Sequence, residues 1–550
     1  MKKNQIVRWV SVWASTLLVG TAMGQATNIW TGLGTTDNWS DVGNWSLGVA
    51  PNADNVVARF NTAPRTNIHV DVVGLKVNSL WFFAPSVNFS FSGNPIEIAG
   101  TNLSTEIRLN VPASAGSTIT FNNNLVWTGT GGSTDNRAFA AQGTSKIILN
   151  GDFDFQQALY FGGRSGGEII ANGIVTNTVG THGLTIHGGG TGTTVLNNDT
   201  NGFYRFIVSA QILIVDSLPA VQNVPSSLGR NVLVPNFGQI FGTSPSGTHW
   251  SQDISNLATL RYTGGAVTTA VPFALDGRYS GPAIGSAVTN RGTFVIEVSN
   301  AATTLSIATN IQYASDRYGG NLVLAGAGNG VLQGSILGAA NGNIFSNFSG
   351  AVIANGARDS AHLWKTGAGT WEIQGTGKVS NLTVEGGKLL LNKTLTVMTN
   401  GIVPWGSAEA YVGVAGTLGG TGTLTVANGL LIDGGTLSPG HSIGTFNVIG
   451  NVAFDNLNED PIFEVELALD ETSDRLAVTG NLNLGFGTEL SLLGFMKEDH
   501  WYTIATYSGT LTGTFASFDT SGLENLGSIQ VDYGTGSNSS ILVMIPEPGT

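Results

Sequence analysis

The sequence predicts an all-β protein, a mainly right-handed parallel β-helix or solenoid with an N-terminal cap and a C-terminal β cap module. Glycine supplies 77 of the 550 residues and only 11% of residues are charged, a composition unusual for an ordinary enzyme. Almost no window places apolar residues at the three- and four-residue spacing of a helix. Strand-like phrases bounded by Gly or Asn instead recur about every twelve to twenty-four residues, which indicates coils that stack on one another.

The repeated phrases alternate β-branched or aliphatic residues with polar ones, as half-buried strands do. They include "KIILNGDFDF", "GEIIANG", "GTWEIQG" and "GTLTVANGLLIDGG". A competing interpretation comes from three Asn-Gly pairs between apolar runs, because Asn-Gly is the strongest two-residue hairpin signal. These pairs are Asn150-Gly151, Asn172-Gly173 and Asn428-Gly429. They leave open an antiparallel sandwich or barrel, which strand direction would distinguish from a solenoid.

The chain begins with the features of a secretory signal peptide, which we predict over residues 1–26. Lys2, Lys3 and Arg8 precede an apolar stretch at residues 9–19, and small residues follow. That stretch is short for a bilayer span, and no later segment reaches the roughly 18 to 20 residues required. The chain has no Cys, so a secreted product must be stabilised without disulfides. The formal charge of −13 offers no basic surface for nucleic acid.

The segment Leu363–Asn392, "LWKTGAGTWEIQGTGKVSNLTVEGGKLLLN", resembles the autotransporter-associated β-strand repeat. That repeat opens on Lys-Thr-Gly-Ala-Gly-Thr, continues as a strand and closes on a Gly-Gly-x-Leu strand. The matching residues are Lys365, Gly367, Gly369, Trp371, Gly386 and Gly387, and the resemblance implies a structural role for them. Similar phrases extend the resemblance over residues 260–450. Residues before 260 are similar in composition only.

We predict a solenoid over residues 116–450, best supported over residues 260–450. At about two dozen residues per coil and about 4.8 Å between stacked strands, it would form a rod on the order of 65 Å long. Residues 27–115 are predicted to be an N-terminal β cap region. Residues 451–545 resemble the module that ends many such solenoids, and a cap is needed there to cover the open edge of the last coil.

Three tryptophans near the N-terminus have two interpretations. Trp30, Trp39 and Trp45 lie within sixteen positions of one another. Exposed indole faces would offer a platform for sugar rings. Buried rings would instead form the core of a small cap, which the general burial tendency of tryptophan favours.

The sequence contains no HExxH, GxSxG, Walker or zinc-site spacing. We therefore predict no catalytic residue, no metal ligand and no cofactor. The one close histidine pair, His182 and His187, has an odd spacing that places the two rings on opposite faces of a strand. We interpret both as solvated turn residues.

Two neighbouring carboxylates nevertheless suggest an enzyme. Asp152 and Asp154 would share one face of a strand, and paired carboxylates serve glycosidases and lyases. The alternative is that both point outwards between buried Phe153 and Phe155, and simple alternation explains this arrangement completely. We favour the structural interpretation.

The densest acidic loop contains Asp470, Glu471 and Asp474. Calcium is conceivable there because hard cations take several carboxylate oxygens, although the spacing is not that of an EF-hand. Asp474 comes just before a Leu-x-Val-x-Gly strand, a position that favours capping of a turn by its side chain. The sequence leaves calcium binding at this loop open.

The chain ends on "ILVMIPEPGT", in which Pro546, Glu547 and Pro548 resemble the start of the PEP-CTERM sorting signal, at residues 546–550. The family's signal continues into an apolar helix and a basic tail, which are read by a membrane enzyme called exosortase. The resemblance implies a chain that continues beyond Thr550 and is sorted at the bacterial cell envelope.

These features predict a secreted or cell-surface bacterial protein that is not an enzyme and has a structural or display role in the envelope or extracellular matrix. The first alternative is a carbohydrate-binding adhesin with an exposed aromatic or Asn/Thr-rich groove. The second is a polysaccharide-degrading β-helix enzyme. The predicted partners are extracellular polysaccharide or other envelope components, with exosortase if the signal is intact and without nucleic acid.

Overall fold

The computed structural model describes residues 26–546 with internal gaps. The gaps are 84–86, 101–105, 111–115, 130–137, 158–159, 165, 181–182, 188–191, 205, 210, 231–238, 243–256, 277–292, 314–320, 338–361, 398–407, 524–527, 535–538 and 545. Within the described residues the chain is almost entirely β, with one short 3₁₀ turn at Val42–Asn44 and no α-helix. The predicted all-β fold class is confirmed.

The strands are numbered in chain order. The first group is β1 (Ala26–Trp30), β2 (Ala53–Phe60), β3 (Asn67–Val70), β4 (Leu75–Phe83), β5 (Phe89–Gly93), β6 (Ile96–Ile98), β7 (Glu106–Asn110), β8 (Thr118–Phe121), β9 (Leu125–Trp127), β10 (Ala138–Gln142), β11 (Lys146–Leu149), β12 (Phe153–Phe155), β13 (Tyr160–Arg164), β14 (Glu168–Ala171), β15 (Val175–Thr176) and β16 (Leu184–His187). The second is β17 (Thr193–Leu196), β18 (Phe206–Ser209), β19 (Ile212–Val215), β20 (Gln239–Gly242), β21 (Leu257–Tyr262), β22 (Val267–Thr269), β23 (Phe273–Asp276), β24 (Thr293–Val298), β25 (Thr304–Ile307), β26 (Ile311–Tyr313), β27 (Asn321–Gly326), β28 (Asn329–Leu332), β29 (Ile336–Leu337), β30 (His362–Lys365), β31 (Thr370–Ile373), β32 (Gly377–Val379) and β33 (Asn381–Leu391). The third is β34 (Thr394–Val397), β35 (Ala410–Gly420), β36 (Thr423–Val426), β37 (Leu430–Asp433), β38 (Thr436–Pro439), β39 (Thr445–Ile449), β40 (Val452–Asp455), β41 (Ile462–Leu467), β42 (Arg475–Thr479), β43 (Leu482–Asn483), β44 (Glu489–Gly494), β45 (Tyr502–Tyr507), β46 (Leu511–Thr512), β47 (Ser517–Leu523), β48 (Gln530–Asp532) and β49 (Ser540–Met544).

The strands stack in three ladders, so that the chain winds in three-sided coils. Ladder one runs from β1, β2 and β4 to β39, β42 and β45. Ladder two runs from β3, β5 and β8 to β40, β43 and β46. Ladder three comprises two groups of strands that follow ladder two along the chain and are not paired with each other in the described residues: β6, β9 and β12 in the early coils, and β38, β41, β44 and β47 in the late ones. All strand pairings except those of β49 are parallel, which identifies a solenoid and excludes an antiparallel sandwich or barrel.

Two long strands turn the corner between ladders two and three without a break. The first half of β33 pairs with β30 and its second half with β31, and β35 repeats the arrangement one coil later. Coil length varies along the rod. Lys146 pairs in register with Glu168, 22 residues on, whereas Asn329 lies beside Thr370, 41 residues on. The predicted coil length of about two dozen residues therefore fits the short coils only.

The parallel coils extend on both sides of the predicted solenoid at residues 116–450. Ladder one already begins at β1, and ladder three continues to β47. One hydrophobic cluster of inward-facing side chains runs through these coils from Trp30 to Val543. Because every inward residue meets its counterpart in the next coil, the core is a column along the axis.

The first coil is closed by buried tryptophans. Trp30, Trp39 and Trp45 are 1%, 0% and 3% exposed and pack edge-on against one another above Phe60. The indole of Trp39 donates to the Pro51 carbonyl oxygen at 2.8 Å. Their burial favours the cap interpretation and leaves no indole face for a sugar ring.

The last coil is covered on one side only. Strand β49 pairs antiparallel with β45 and β48, and so covers the edge of ladder one. In the described residues, β46 and β47 pair only with the preceding coil, and Phe518 is 47% exposed although its neighbour in register, Leu490, is fully buried. Among the described strands of residues 451–545, antiparallel pairing is therefore limited to β45, β48 and β49.

The Asn-Gly pairs lie at coil corners and not in hairpins. The amides of four asparagines form a ladder: the Nδ2 groups of Asn150, Asn172 and Asn197 each donate to the Oδ1 of the Asn one coil earlier, at 2.8 Å, and the first acceptor is Asn122. A Cβ at Gly151 would lie 2.3 Å from the carbonyl oxygen of the preceding coil, so the corner admits only glycine there. The hairpin interpretation was wrong because local turn chemistry does not report whether the next strand is parallel.

The alternation predicted for "TWEI" is confirmed in β31. Trp371 and Ile373 are 0% and 1% exposed, whereas Thr370 and Glu372 point outwards. The Trp371 ring lies over Gly330 of the preceding coil, where an added Cβ would come within 2.3 Å of it.

We predict that Trp371→Ala lowers the free energy of unfolding by about 3 to 5 kcal/mol, because the coil cannot collapse to fill the space. Chemical denaturation followed by circular dichroism measures the loss. Trp364→Ala is the matched control, because Trp364 lies on the outer side of β30 and should cost about 1 to 2 kcal/mol. Equal losses in the two variants would contradict the inward orientation of Trp371.

Candidate functional site

The lysine of the repeat motif points into the solenoid. Lys365 ends β30 and is 0% exposed, and its Nζ donates to the carbonyl oxygens of Thr366, Gly367 and Gly386 at 2.9, 2.8 and 2.7 Å. Burial lowers the pKa of the amine to about 8. The three carbonyl acceptors match the three protons of an ammonium group, and Gly386 belongs to the next coil. Lys365 therefore ties two coils together at a corner.

The glycines of the motif lie where successive corners touch. Gly367 has φ +74°, and a Cβ there would come within 2.6 Å of a carbonyl oxygen of the preceding coil. A Cβ at Gly369 would come within 1.9 Å of a second carbonyl oxygen of that coil. Gly387 has φ +63°, and a Cβ there would come within 2.5 Å of the carbonyl oxygens of Gly367 and Gly369 in the coil before it. Gly386 supplies one of the three carbonyl groups that Lys365 binds. Coil stacking explains these residues without a ligand.

The carboxylates of Asp152 and Asp154 are occupied by the next coil. Asp152 accepts from the backbone N–H of Ile174 at 2.9 Å, and Asp154 accepts from the N–H and hydroxyl of Thr178 at 3.0 and 2.7 Å. Phe153 between them is buried, as the alternation predicts. Both carboxylates therefore form coil-to-coil contacts.

The acidic loop does not converge on one point. Asp470 accepts from Thr472 within its own turn, and Glu471 forms an ion pair with Lys497. Within the described part of the chain, no group of three or more His, Cys, Asp or Glu side chains is placed to hold a metal ion.

Asp474 has a capping role. Its two carboxylate oxygens accept from the backbone N–H groups of Gly444 and Glu466 at 2.8 and 3.0 Å, and the residue is 4% exposed. Burial raises the pKa of Asp474 to about 7, while the two backbone donors act in the opposite direction. Turn capping was the favoured interpretation of this position, and the geometry supports it.

Some predicted residues lie outside the described part of the chain. These are the signal peptide up to residue 25, His182, Glu547 and Pro548, so neither the histidine pair nor the sorting signal as a whole can be placed. His187 ends β16, and Pro546 is half-buried.

An outward aromatic group lies on ladder two, but its polar atoms bind one another. The indole of Trp364 stacks on His362 with ring centroids 5.6 Å apart and donates to Glu385 at 3.1 Å. The hydroxyl of Tyr411 donates to Asp433 at 3.2 Å, and Tyr411 is only 8% exposed. Burial raises the pKa of Tyr411 to about 12. These contacts join successive coils and leave little aromatic surface open.

A shallow groove of about 540 Å³ crosses the outer side of ladder one near its C-terminal end. The lining residues are Thr396, Val397, Thr425, Val426, Ala427, Ile449, Gly450 and Thr479. Thr396, Thr425, Ile449 and Thr479 form one row, because each pairs in register with the next across β34, β36, β39 and β42. With strands about 4.8 Å apart, the row is on the order of 14 Å long.

The hydroxyl groups of this row are available to a ligand. Within the described part of the chain, the hydroxyls of Thr396, Thr425 and Thr479 have no hydrogen-bond partner. None of the lining residues is charged. This row is the candidate functional site.

The sequence contains a signal for the groove that a strand-by-strand inspection misses. The phrase "TLTV" occurs at residues 394–397 and again at 423–426, with Thr outside and Leu and Val inside. The next two strands of the row contribute Ile449 and Thr479 without repeating the phrase. Only the register between coils shows that these residues form one row.

A scan against protein-family models finds no match to this chain, and a search of curated proteins finds no significant relative. In the described residues, none of the helical structure is long and apolar enough to cross a bilayer. The assignment of function therefore rests on the sequence motifs and the geometry above.

We predict that the stability of the protein depends on pH through Asp474. Because its pKa is about 7 in the folded protein and near 3.8 in the unfolded chain, the folded state holds the proton between these values. The free energy of unfolding should therefore fall as pH rises from 4 to 7, by up to about 1.4 kcal/mol per pH unit from this group. Asp474→Asn should flatten the dependence in urea titrations at several pH values. An unchanged slope would contradict the shifted pKa.

Proposed function

We propose that this protein is a secreted, non-catalytic β-solenoid of the bacterial cell surface or extracellular matrix, with a structural or display role. The observation that carries the proposal is the single core running through all coils, combined with the use of polar side chains as coil-to-coil contacts. Such a molecule is a rigid spacer whose length is set by the number of coils.

The sequence motifs support the location. Residues 1–26 have the pattern of a signal peptide, and Pro546, Glu547 and Pro548 resemble a PEP-CTERM signal that exosortase would read at the envelope. The Lys-Thr-Gly-Ala-Gly-Thr phrase resembles the autotransporter-associated repeat of exported solenoids, and here it holds two coils at a shared corner.

The groove on ladder one favours a second candidate function, the carbohydrate-binding adhesin. Three threonines in its row support this alternative, because an adhesin on this scaffold is expected to carry an exposed aromatic or Asn/Thr-rich groove. The enzyme alternative has less support, because Asp152 and Asp154 both cap the next coil.

The spacer function predicts a rod in solution. The stacking of ladder two from β3 to β46 at about 4.8 Å per strand gives a length on the order of 80 Å. Small-angle X-ray scattering of the exported chain should give the distance distribution of a rod of this length. A compact, near-spherical particle would contradict the proposal.

An enzymatic function is tested separately by incubating the same protein with plant and bacterial polysaccharides and measuring released reducing ends. We expect no release. Release that disappears in Asp152→Asn or Asp154→Asn, with the rod unchanged, would replace the non-catalytic proposal with the enzyme.

A further inference from the structure

We propose that the groove lined by Thr396, Thr425, Ile449 and Thr479 binds an uncharged, extended polysaccharide chain that lies along the solenoid axis. This inference rests on the adhesin as the second candidate function, and it names the class of ligand and its direction.

The direction follows from the row. The four residues come from four successive strands of ladder one, so the groove runs across the strands and parallel to the axis. Their backbone N–H and C=O groups are already paired between coils, which leaves no free edge for an added peptide strand. A ligand must therefore use side chains, and it must be long in the axial direction.

The repeat of the row suits a sugar polymer. Stacked strands present a side chain about every 4.8 Å, and a pyranose unit in an extended chain has a comparable length. One sugar would face each coil. Three of the four positions offer a hydroxyl that both donates and accepts, which matches the hydroxyl groups of a glycan.

The apolar part of the groove is equally suitable. Ile449 is 47% exposed in the middle of the row, and it stands where a sugar's C–H face would lie between two hydroxyl contacts. Gly450 and Ala427 add small residues at the corner, so the groove is shallow and open along its length. A rigid polymer can enter it sideways without a conformational change.

The uncharged lining of the groove and the net negative charge of the chain favour a neutral polymer over an acidic one. None of the lining side chains is ionisable, and the chain as a whole carries a formal charge of −13, which repels acidic glycans. One cation, Lys378, pairs in register with Thr396 and is exposed at the N-terminal end of the row. One lysine at the end of the row is a rim contact and does not provide the repeated cations that an acidic polymer requires.

The test uses the purified full chain in affinity gel electrophoresis with soluble hydroxyethyl cellulose, glucomannan, arabinoxylan and, as acidic probes, alginate and polygalacturonate. We expect retardation by at least one neutral polymer and none by the acidic ones. Thr396→Val with Thr425→Val removes two hydroxyls and keeps the side-chain shape, so we expect binding to weaken about tenfold.

Thr423→Val is the matched control, since Thr423 lies on the same strand as Thr425 in the adjacent outward column and outside the groove. The affinity of Thr423→Val for the neutral polymer should stay within about twofold of that of the unchanged protein. Circular dichroism and the length from scattering verify that each variant keeps the rod.

Three results would overturn the proposal: no retardation by any neutral polymer, equal effects of the groove and control variants, or preferential retardation by the acidic polymers with loss in Lys378→Ala. Self-association of the chain that the groove variants abolish would identify a second copy as the occupant and would also overturn it. None of these results affects the spacer function, because the rod length is measured independently.

Discussion

In-register stacking of parallel coils is the constraint on which the structure depends. Neighbouring coils touch through backbone at the corners, where Gly151 and Gly369 have no room for a side chain. At the corner after β30 three carbonyl groups turn inward, and Lys365 satisfies them with one buried amine. A Cβ added at Gly151 or Gly369 would clash with the preceding coil, and loss of Lys365 would leave its three carbonyl groups without the amine that binds them.

Stacking also decides what the polar side chains do. A residue on the outer side of one coil lies beside its counterpart in the next, so asparagines form amide ladders and Lys146 pairs with Glu168 at 2.6 Å. For the same reason, the carboxylates of Asp154 and Asp474 cap backbone N–H groups. Carboxylates that would suggest catalysis in a globular protein are part of the scaffold here. The groove differs because its threonine hydroxyls bind nothing in the described part of the chain.

Sequence reasoning predicted those features of the structure that depend on the pattern of residues close together in the chain. Alternation placed Trp371 inside and Glu372 outside, and the burial tendency of tryptophan placed Trp39 in the cap. It failed where the outcome depends on the next coil. Asn150-Gly151 has the same local chemistry in a hairpin and at a coil corner, and one of the three carbonyls that bind the inward Lys365 is supplied by Gly386 of the following coil. The row of the groove joins residues 396 and 479, and no local pattern reports such a register.

Disulfide trapping tests the register directly, because the chain has no Cys of its own and an introduced pair supplies the only thiols. Ile148 and Ile170 are paired in register on adjacent coils, whereas Ile148 and Val195 are two coils apart. Their Cα separations are about 4.8 Å and about twice that, and a disulfide needs roughly 4.4 to 6.8 Å. The account predicts that Ile148→Cys with Ile170→Cys oxidises readily and that Ile148→Cys with Val195→Cys does not. Failure of the first pair, or equal oxidation of both, would contradict the parallel stacking.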